Sequence, residues 1–259
     1  MNGRTWLILA LAWSLAAPAW AARPVGPVGQ CFAHYDAGKY EDAAGCFLLR
    51  ASEGGERYDA QLLYNAGNAF HRDGSFPDAI WAYRLALLDL PRDGDLRANL
   101  ETARGSTTDD LPPPHERGPV GKALLAPYDS LSQREMLVVG TASWALFFLG
   151  MAVRTRRPFP FATMGALPIL GIVAVLGITG HIARSRQVDR NPVAVVVVEE
   201  TTLRSGRDAG SVDLARLHGG AEIAVVQEDA PWVQVTLGGD VRGWLPDASI
   251  ALVRPGALR

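Results

Sequence analysis

Cysteine is scarce in this chain: Cys31 and Cys46 are the only two among 259 residues. With none after Cys46, the C-terminal half has no thiol nucleophile of the kind a wall peptidase uses. His218 with Asp240 or Glu222 therefore lacks the nucleophile that a catalytic constellation needs beside its base and orienter. An excess of either charge is missing too. A formal net charge of −2 with 48% hydrophobic residues excludes a nucleic-acid partner and a disordered chain. Met136–Val153 and Phe159–Gly180 hold no ionisable side chain at all, and so lack the buried charge that marks a proton path, an ion site or a transporter. The segments outside them are too short for large catalytic domains. No cysteine lies close behind the N-terminal apolar run, which argues against lipid attachment at Cys31.

The chain does have apolar sequence in blocks. Each of the two uncharged stretches is near the ~20 residues that cross ~30 Å of hydrocarbon. Joined by Arg154-Thr155-Arg156-Arg157-Pro158, they predict a transmembrane hairpin, with helices over 132–153 and 159–182. Ser132 and Glu135 have capping-box spacing at its start. In the second helix Pro168 predicts a bend, while Gly165, Gly171, Ala174 and Gly177 permit close approach. His181 falls at the interface. At the N-terminus, Arg4, the apolar core Trp6–Trp13 and Ala19-Trp20-Ala21 predict a secretory signal peptide over 1–21, with an uncleaved anchor as the other reading. Either one exports the segment from Arg23 to Glu135 and leaves the arginine-rich loop cytoplasmic, in line with the positive-inside rule. Arg184, Arg186 and Arg190 nearly balance that loop, so orientation rests on the signal peptide.

Between 31 and 104 the sequence matches itself at a shift of 36: Gly38 meets Gly74, Ala43 meets Ala79 and Phe47 meets Tyr83. Gly67, Ala79 and Ala86 are small where antiparallel helices would touch, Phe70 and Tyr83 fill the space between helix pairs, and Pro91 stops a helix. With Leu63, Ala66 and the stretches Tyr64–Ala69 and Ala79–Tyr83, this resembles a tetratricopeptide repeat. The first copy is the weaker one, with Cys31 at a small position and His34 at an aromatic one. Asp95–Arg104 reads as a capping helix. The resemblance implies a protein-binding face formed by Gln61, Tyr64, Asn65, Asn68, His71 and Arg72. Asn65 and Asn68 resemble the asparagines that grip a peptide carboxylate in some members, but the accompanying lysines are absent, and both amides have an alternative use in bonding the neighbouring helix. Cys31 and Cys46 would fall on the two helices of the first repeat, where a disulfide and a pair of buried thiols both fit.

Residues 105–131 read as a proline-rich linker and an interfacial segment. Pro112-Pro113-Pro114 predicts an extended spacer that holds the repeats off the bilayer, with Asp109 and Asp110 solvated. After Pro192 short strands are predicted at Val193–Val198, Glu222–Gln227, Trp232–Leu237, Gly243–Leu245 and Ile250–Val253, separated by turn residues. With Leu203-Arg204-Ser205-Gly206, Leu217-His218-Gly219-Gly220, Trp232-Val233-Gln234-Val235 and Gly243-Trp244-Leu245, the segment 192–255 resembles a bacterial SH3-like domain. The resemblance implies a small barrel with Trp232 in its core, and cell-wall peptides or glycans as ligands in some members.

The expected fold class is thus multidomain: an all-α tetratricopeptide-repeat segment, a two-helix transmembrane hairpin and a small all-β SH3-like barrel. In order, these parts resemble BatE-type proteins of aerotolerance operons. That resemblance implies a non-enzymatic scaffold of a bacterial inner membrane, with repeats and barrel both periplasmic. It would work in an envelope complex linked to aerotolerance or stress resistance, with von Willebrand A-type membrane proteins as partners. A peptidoglycan-binding sensor that uses the barrel is the alternative. Neither reading calls for a catalytic residue, a cofactor or a metal.

Overall fold

The computed structural model describes residues 26–53, 58–114, 120, 125–126, 128–156, 165–208, 210–237 and 241–256. The predicted signal peptide, Gly118-Pro119 of the linker, Arg157-Pro158 of the bend, the start of the second apolar stretch and Asp240 lie outside the described residues.

The N-terminal part is two antiparallel helix pairs and a fifth helix: α1 Pro27–Asp36, α2 Tyr40–Ser52, α3 Ala60–Asp73, α4 Phe76–Leu87 and α5 Gly94–Arg104. Their ends are set locally. Asp59 accepts from the Gln61 and Leu62 amides at the start of α3, and Asp93 accepts from the Leu96 amide at the start of α5. Gly74 ends α3 with a φ of 88°, a conformation that glycine adopts without steric cost. Small residues let the helices close up: a Cβ on Gly67 would overlap the Tyr83 ring of α4. Phe70 touches both helical clusters, one built on Cys31, Phe47 and Ala66, the other on Leu63, Tyr83 and Leu96. Cys31 and Cys46 are joined in a disulfide between α1 and α2.

Two longer helices come next, α6 Gln133–Arg156 and α7 Ala166–Arg190, both long and apolar enough to cross a membrane. Ser132 and Glu135 form the expected capping box, the Glu135 carboxylate accepting from the Ser132 amide at 2.8 Å and the Ser132 hydroxyl from the Glu135 amide at 3.2 Å. The helices cross at Gly140 and Gly177, where a Cβ on Gly177 would lie 2.7 Å from the Gly140 Cα. Trp144, Leu149, Ile172 and Leu176 are exposed around the pair. Pro168 does not bend α7. It occupies the first turn, where a missing N–H costs no intrahelical bond.

Seven antiparallel strands form the C-terminal part: β1 Val193–Val196, β2 Glu200–Arg204, β3 Asp213–His218, β4 Glu222–Asp229, β5 Trp232–Thr236, β6 Arg242–Pro246 and β7 Ile250–Val253. They lie in the order β3-β2-β6-β5-β4-β1-β7. The sequence reading missed β2 and β3, because β3 runs along an edge and exposes Leu214. Leu203, Leu217, Ile223, Val235 and Leu245 share one cluster with Ala194 and Val196, so the sheet curls over a single core. Gly243 is needed in β6, since a Cβ there would meet the Leu203 Cγ at 2.6 Å. Trp232 is not in this core. It alternates with the buried Val233 and Val235, and faces outward.

Helices and sheet are packed against each other. Along β1, Ala194 and Val196 face the sheet core, while Val193 and Val195 join the cluster built on α4. Ala251 and Val253 of β7 do the same, and the Trp81 indole N–H donates to the Leu252 carbonyl at 3.0 Å. Both Glu222 oxygens are engaged: Arg104 Nε reaches Oε1 at 2.6 Å, and Arg84 pairs with Oε2. The Glu222 side chain is 6% exposed. Burial pulls the Arg84 guanidinium below its usual range, Glu222 opposing and Arg104 adding to the fall. At Arg104 burial acts the same way, but its bonds to Glu222 and Glu101 win and raise it.

Over its described residues 105–114 the linker is docked on the sheet. Leu111 packs on the sheet core, and Asp109 is bound to the sheet by hydrogen bonds to His218 instead of being solvated. The N-terminal helical part also reaches the start of α6, where Arg92 pairs with Glu135.

Removing one member of a buried ion group leaves its partners charged and unpaired, at a cost of about 3–5 kcal/mol. Glu222→Ala should therefore lower stability by about 3 kcal/mol and split the thermal transition of the detergent-solubilised chain in two, whereas Glu222→Gln should do less; calorimetry reads both. The disulfide closes a loop with a separation of 15 residues. Its reduction should cost about 3 kcal/mol by chain entropy, read as a lower denaturation midpoint alongside slower migration on a gel.

Candidate protein-binding groove

The face expected to bind protein is divided by the structure. Asn68, His71 and Arg72 line a cleft of about 660 Å³ together with Tyr35 of α1, Tyr83 of α4, and Asn99 and Thr102 of α5. Gln61, Tyr64 and Asn65 are on the same helix but not on the lining of that cleft. Gln61 is exposed. Tyr64 stacks obliquely on Tyr83 at 6.1 Å and accepts a hydrogen bond from Asn99 Nδ2 at 3.2 Å. Among the described residues, no hydrogen bond engages the Asn65 amide.

Asn68 sits at the centre of a small polar network. Its Oδ1 accepts from the Tyr83 hydroxyl at 2.9 Å and from Asn99 Nδ2 at 2.8 Å. The oxygen thus ties three helices together, while the amide N–H donors of Asn68 have no partner among the described residues. Burial pushes the Tyr83 phenol well above its ordinary range, helped by Tyr64 and Tyr35, so it stays a neutral donor. His71 stands edge-on to Phe76 at 5.4 Å, and its buried Nε2 has no hydrogen-bond partner among the described residues. Arg72 is exposed, and no carboxylate lines the cleft.

This chemistry, a guanidinium with amide and phenol groups and no acid, complements an acidic or carboxylate-bearing peptide segment. The sequence reading did not place Tyr35, Asn99 or Thr102 here. Tyr35 was legible as the residue one turn after Cys31, on the same face of α1. Asn99 lies within the expected capping helix Asp95–Arg104, and its amide bonds Tyr64 and Asn68 of α3.

The sheet offers a second surface. The register of β5 and β6 puts Gln234 opposite Trp244, so Trp232, Gln234 and Trp244 share the outward face while Val233, Val235 and Leu245 point inward. The Arg207 guanidinium lies 4.9 Å from the Trp244 ring centroid. His218 is not part of a catalytic group with Glu222, whose oxygens are held by Arg84 and Arg104. Its Nδ1 is 2.9 Å from Asp109 Oδ1, and its backbone N–H donates to Asp109 Oδ2 at 2.7 Å, so it fastens the linker to the sheet.

The chain was compared with protein-family models, curated proteins and solved structures, and none matches it.

Because Asn68 serves two donors, its loss should be felt more than that of either donor. Tyr83→Phe should cost about 1 kcal/mol, and Asn68→Leu about 2 kcal/mol, by leaving donors unsatisfied. Chemical denaturation of the full chain measures the difference.

Proposed function

We propose that this chain is a non-enzymatic membrane adaptor, built like a BatE-type protein from tetratricopeptide repeats, a transmembrane hairpin and an SH3-like module. Its α6–α7 hairpin spans a bacterial inner membrane, and the repeats and sheet stand together in the periplasm as part of an envelope complex linked to aerotolerance or stress resistance. The observation that carries this reading is the core shared by α4, β1 and β7. Parts that bury each other's apolar residues belong in one compartment, as a hairpin requires. The Cys31–Cys46 disulfide supports an oxidising compartment, and so the exported side. The exposed apolar side chains of α6 and α7 support lipid around them.

The acid-free cleft around Asn68 and Arg72 is the protein-binding surface of this adaptor, and its partners are membrane proteins of the von Willebrand A type. A second reading, a peptidoglycan-binding sensor, is favoured by one observation: Trp232 and Trp244 share the outward face of β5 and β6, where aromatic rings suit sugar ligands.

Crosslinking the full chain in a native membrane, with affinity purification afterwards, separates the two. The adaptor reading expects a von Willebrand A-type partner whose recovery falls at least tenfold, about 1.4 kcal/mol, with Arg72→Glu and is unchanged with Trp244→Ala. Recovery indifferent to Arg72→Glu, together with sacculus binding lost in Trp244→Ala, overturns it in favour of the sensor.

A further inference from the structure

A cleft of about 450 Å³ separates the helical repeats, the C-terminal end of α7 and the sheet. Arg84, Arg97, Arg104 and Arg184 all line it, against the single carboxylate of Asp129 on the lining. Arg84 and Arg104 share Glu222, and Arg104 also pairs with Glu101, so these two charges are matched by two carboxylates. Arg97 and Arg184 donate to backbone carbonyls, those of Pro91 and Leu131, and among the described residues neither pairs with a carboxylate. A carbonyl satisfies an N–H but leaves the positive charge, and each guanidinium has five N–H donors to offer. Among the described residues, the positive charge left without a paired carboxylate in this cleft is therefore that of Arg97 and Arg184.

Its level along α7 matters. The Tyr128 hydroxyl donates to the Gly180 carbonyl at the end of the apolar stretch, and Tyr128 and Arg184 both line the cleft. Arg184 lies four residues beyond Gly180, about 6 Å along the helix axis. That is the depth of the polar headgroups on one side of a bilayer, which extend about 5–7 Å past the hydrocarbon.

We propose that this cleft binds a phosphate-bearing group, supplied by the headgroup of an anionic phospholipid, with Arg97 and Arg184 as its principal ligands. A planar guanidinium matches two phosphate oxygens at once, which an ammonium does not. Arg84 and Arg104 complete the lining, held in place by Glu222 and Glu101. Arg97 is exposed on α5 and Arg184 rises from α7, so a bound headgroup would bridge the repeats to the membrane helix. This rests on the reading of α6 and α7 as a membrane hairpin.

The test uses the full chain in bilayer nanodiscs of phosphatidylcholine with and without phosphatidylglycerol, and native mass spectrometry to count retained lipids. Wild-type protein should retain phosphatidylglycerol in preference to phosphatidylcholine. Each arginine removed should weaken that preference about fivefold, so that Arg97→Gln/Arg184→Gln loses about twenty-five-fold. Arg97→Glu alone, at an exposed position, guards against a folding artefact, with circular dichroism and the non-reducing gel as checks on the fold. No lipid preference in the wild type, or one unchanged in the double and single variants, overturns the site. Retention against millimolar inorganic phosphate supports the lipid source, whereas displacement by it overturns that source in favour of a soluble phosphate compound. Alkaline carbonate extraction reads membrane insertion separately: release of the chain sinks the hairpin, while a chain that stays in the membrane yet shows no lipid preference sinks this site alone.

Discussion

The arrangement depends on β1 being buried on both faces. A strand whose alternate residues enter two different cores cannot slip by one position without exchanging them. In this chain Val193 and Val195 face α4, while Ala194 and Val196 face the sheet. The strand also comes directly after α7, with only Asn191 and Pro192 between. The register of one short strand therefore sets the N-terminal helices, the sheet and the α6–α7 pair in a common frame.

The ion group at Glu222 adds direction to that packing. Apolar contact between Trp81 or Val195 and their neighbours tolerates rotation, but a carboxylate with one arginine on each oxygen does not. A buried group of this kind gives little net stability against an apolar replacement, since desolvation offsets most of the attraction. Its larger effect here is to fix which face of α4 and α5 meets the sheet. The Trp81 to Leu252 hydrogen bond acts in the same sense from the other side of the contact.

Much of the local structure was legible in the sequence because it is locally caused. The capping box at Ser132 and Glu135, the glycine at 67 and the apolar blocks of α6 and α7 each arise from a short stretch and its chemistry. The parts that were not legible came from contacts distant in sequence. Asp109 looked like one of two solvated acids in a proline-rich run, and only the sheet, more than a hundred residues on, gives it a partner in His218. The resemblance to an SH3-like domain puts Trp232 in the core, yet the alternation with Val233 turns it outward. The uninterrupted valines at the start of the sheet held the missed clue: a half-exposed strand would alternate with polar residues, so a continuous run implies cover on both sides. The candidate groove was half readable. Asn68 and Arg72 could be placed from the repeat pattern on α3, but Tyr35 and Asn99 enter from other helices.

The unbroken run of α7 to Arg190 has a mechanical consequence. Ten residues, His181 to Arg190, continue the helix past the apolar stretch, which at 1.5 Å per residue makes a pillar about 15 Å tall. Because the pillar enters β1 through only Asn191 and Pro192, a twist or tilt of α7 has almost no slack in which to dissipate, and reaches the sheet and the helices packed on it as rotation of one body.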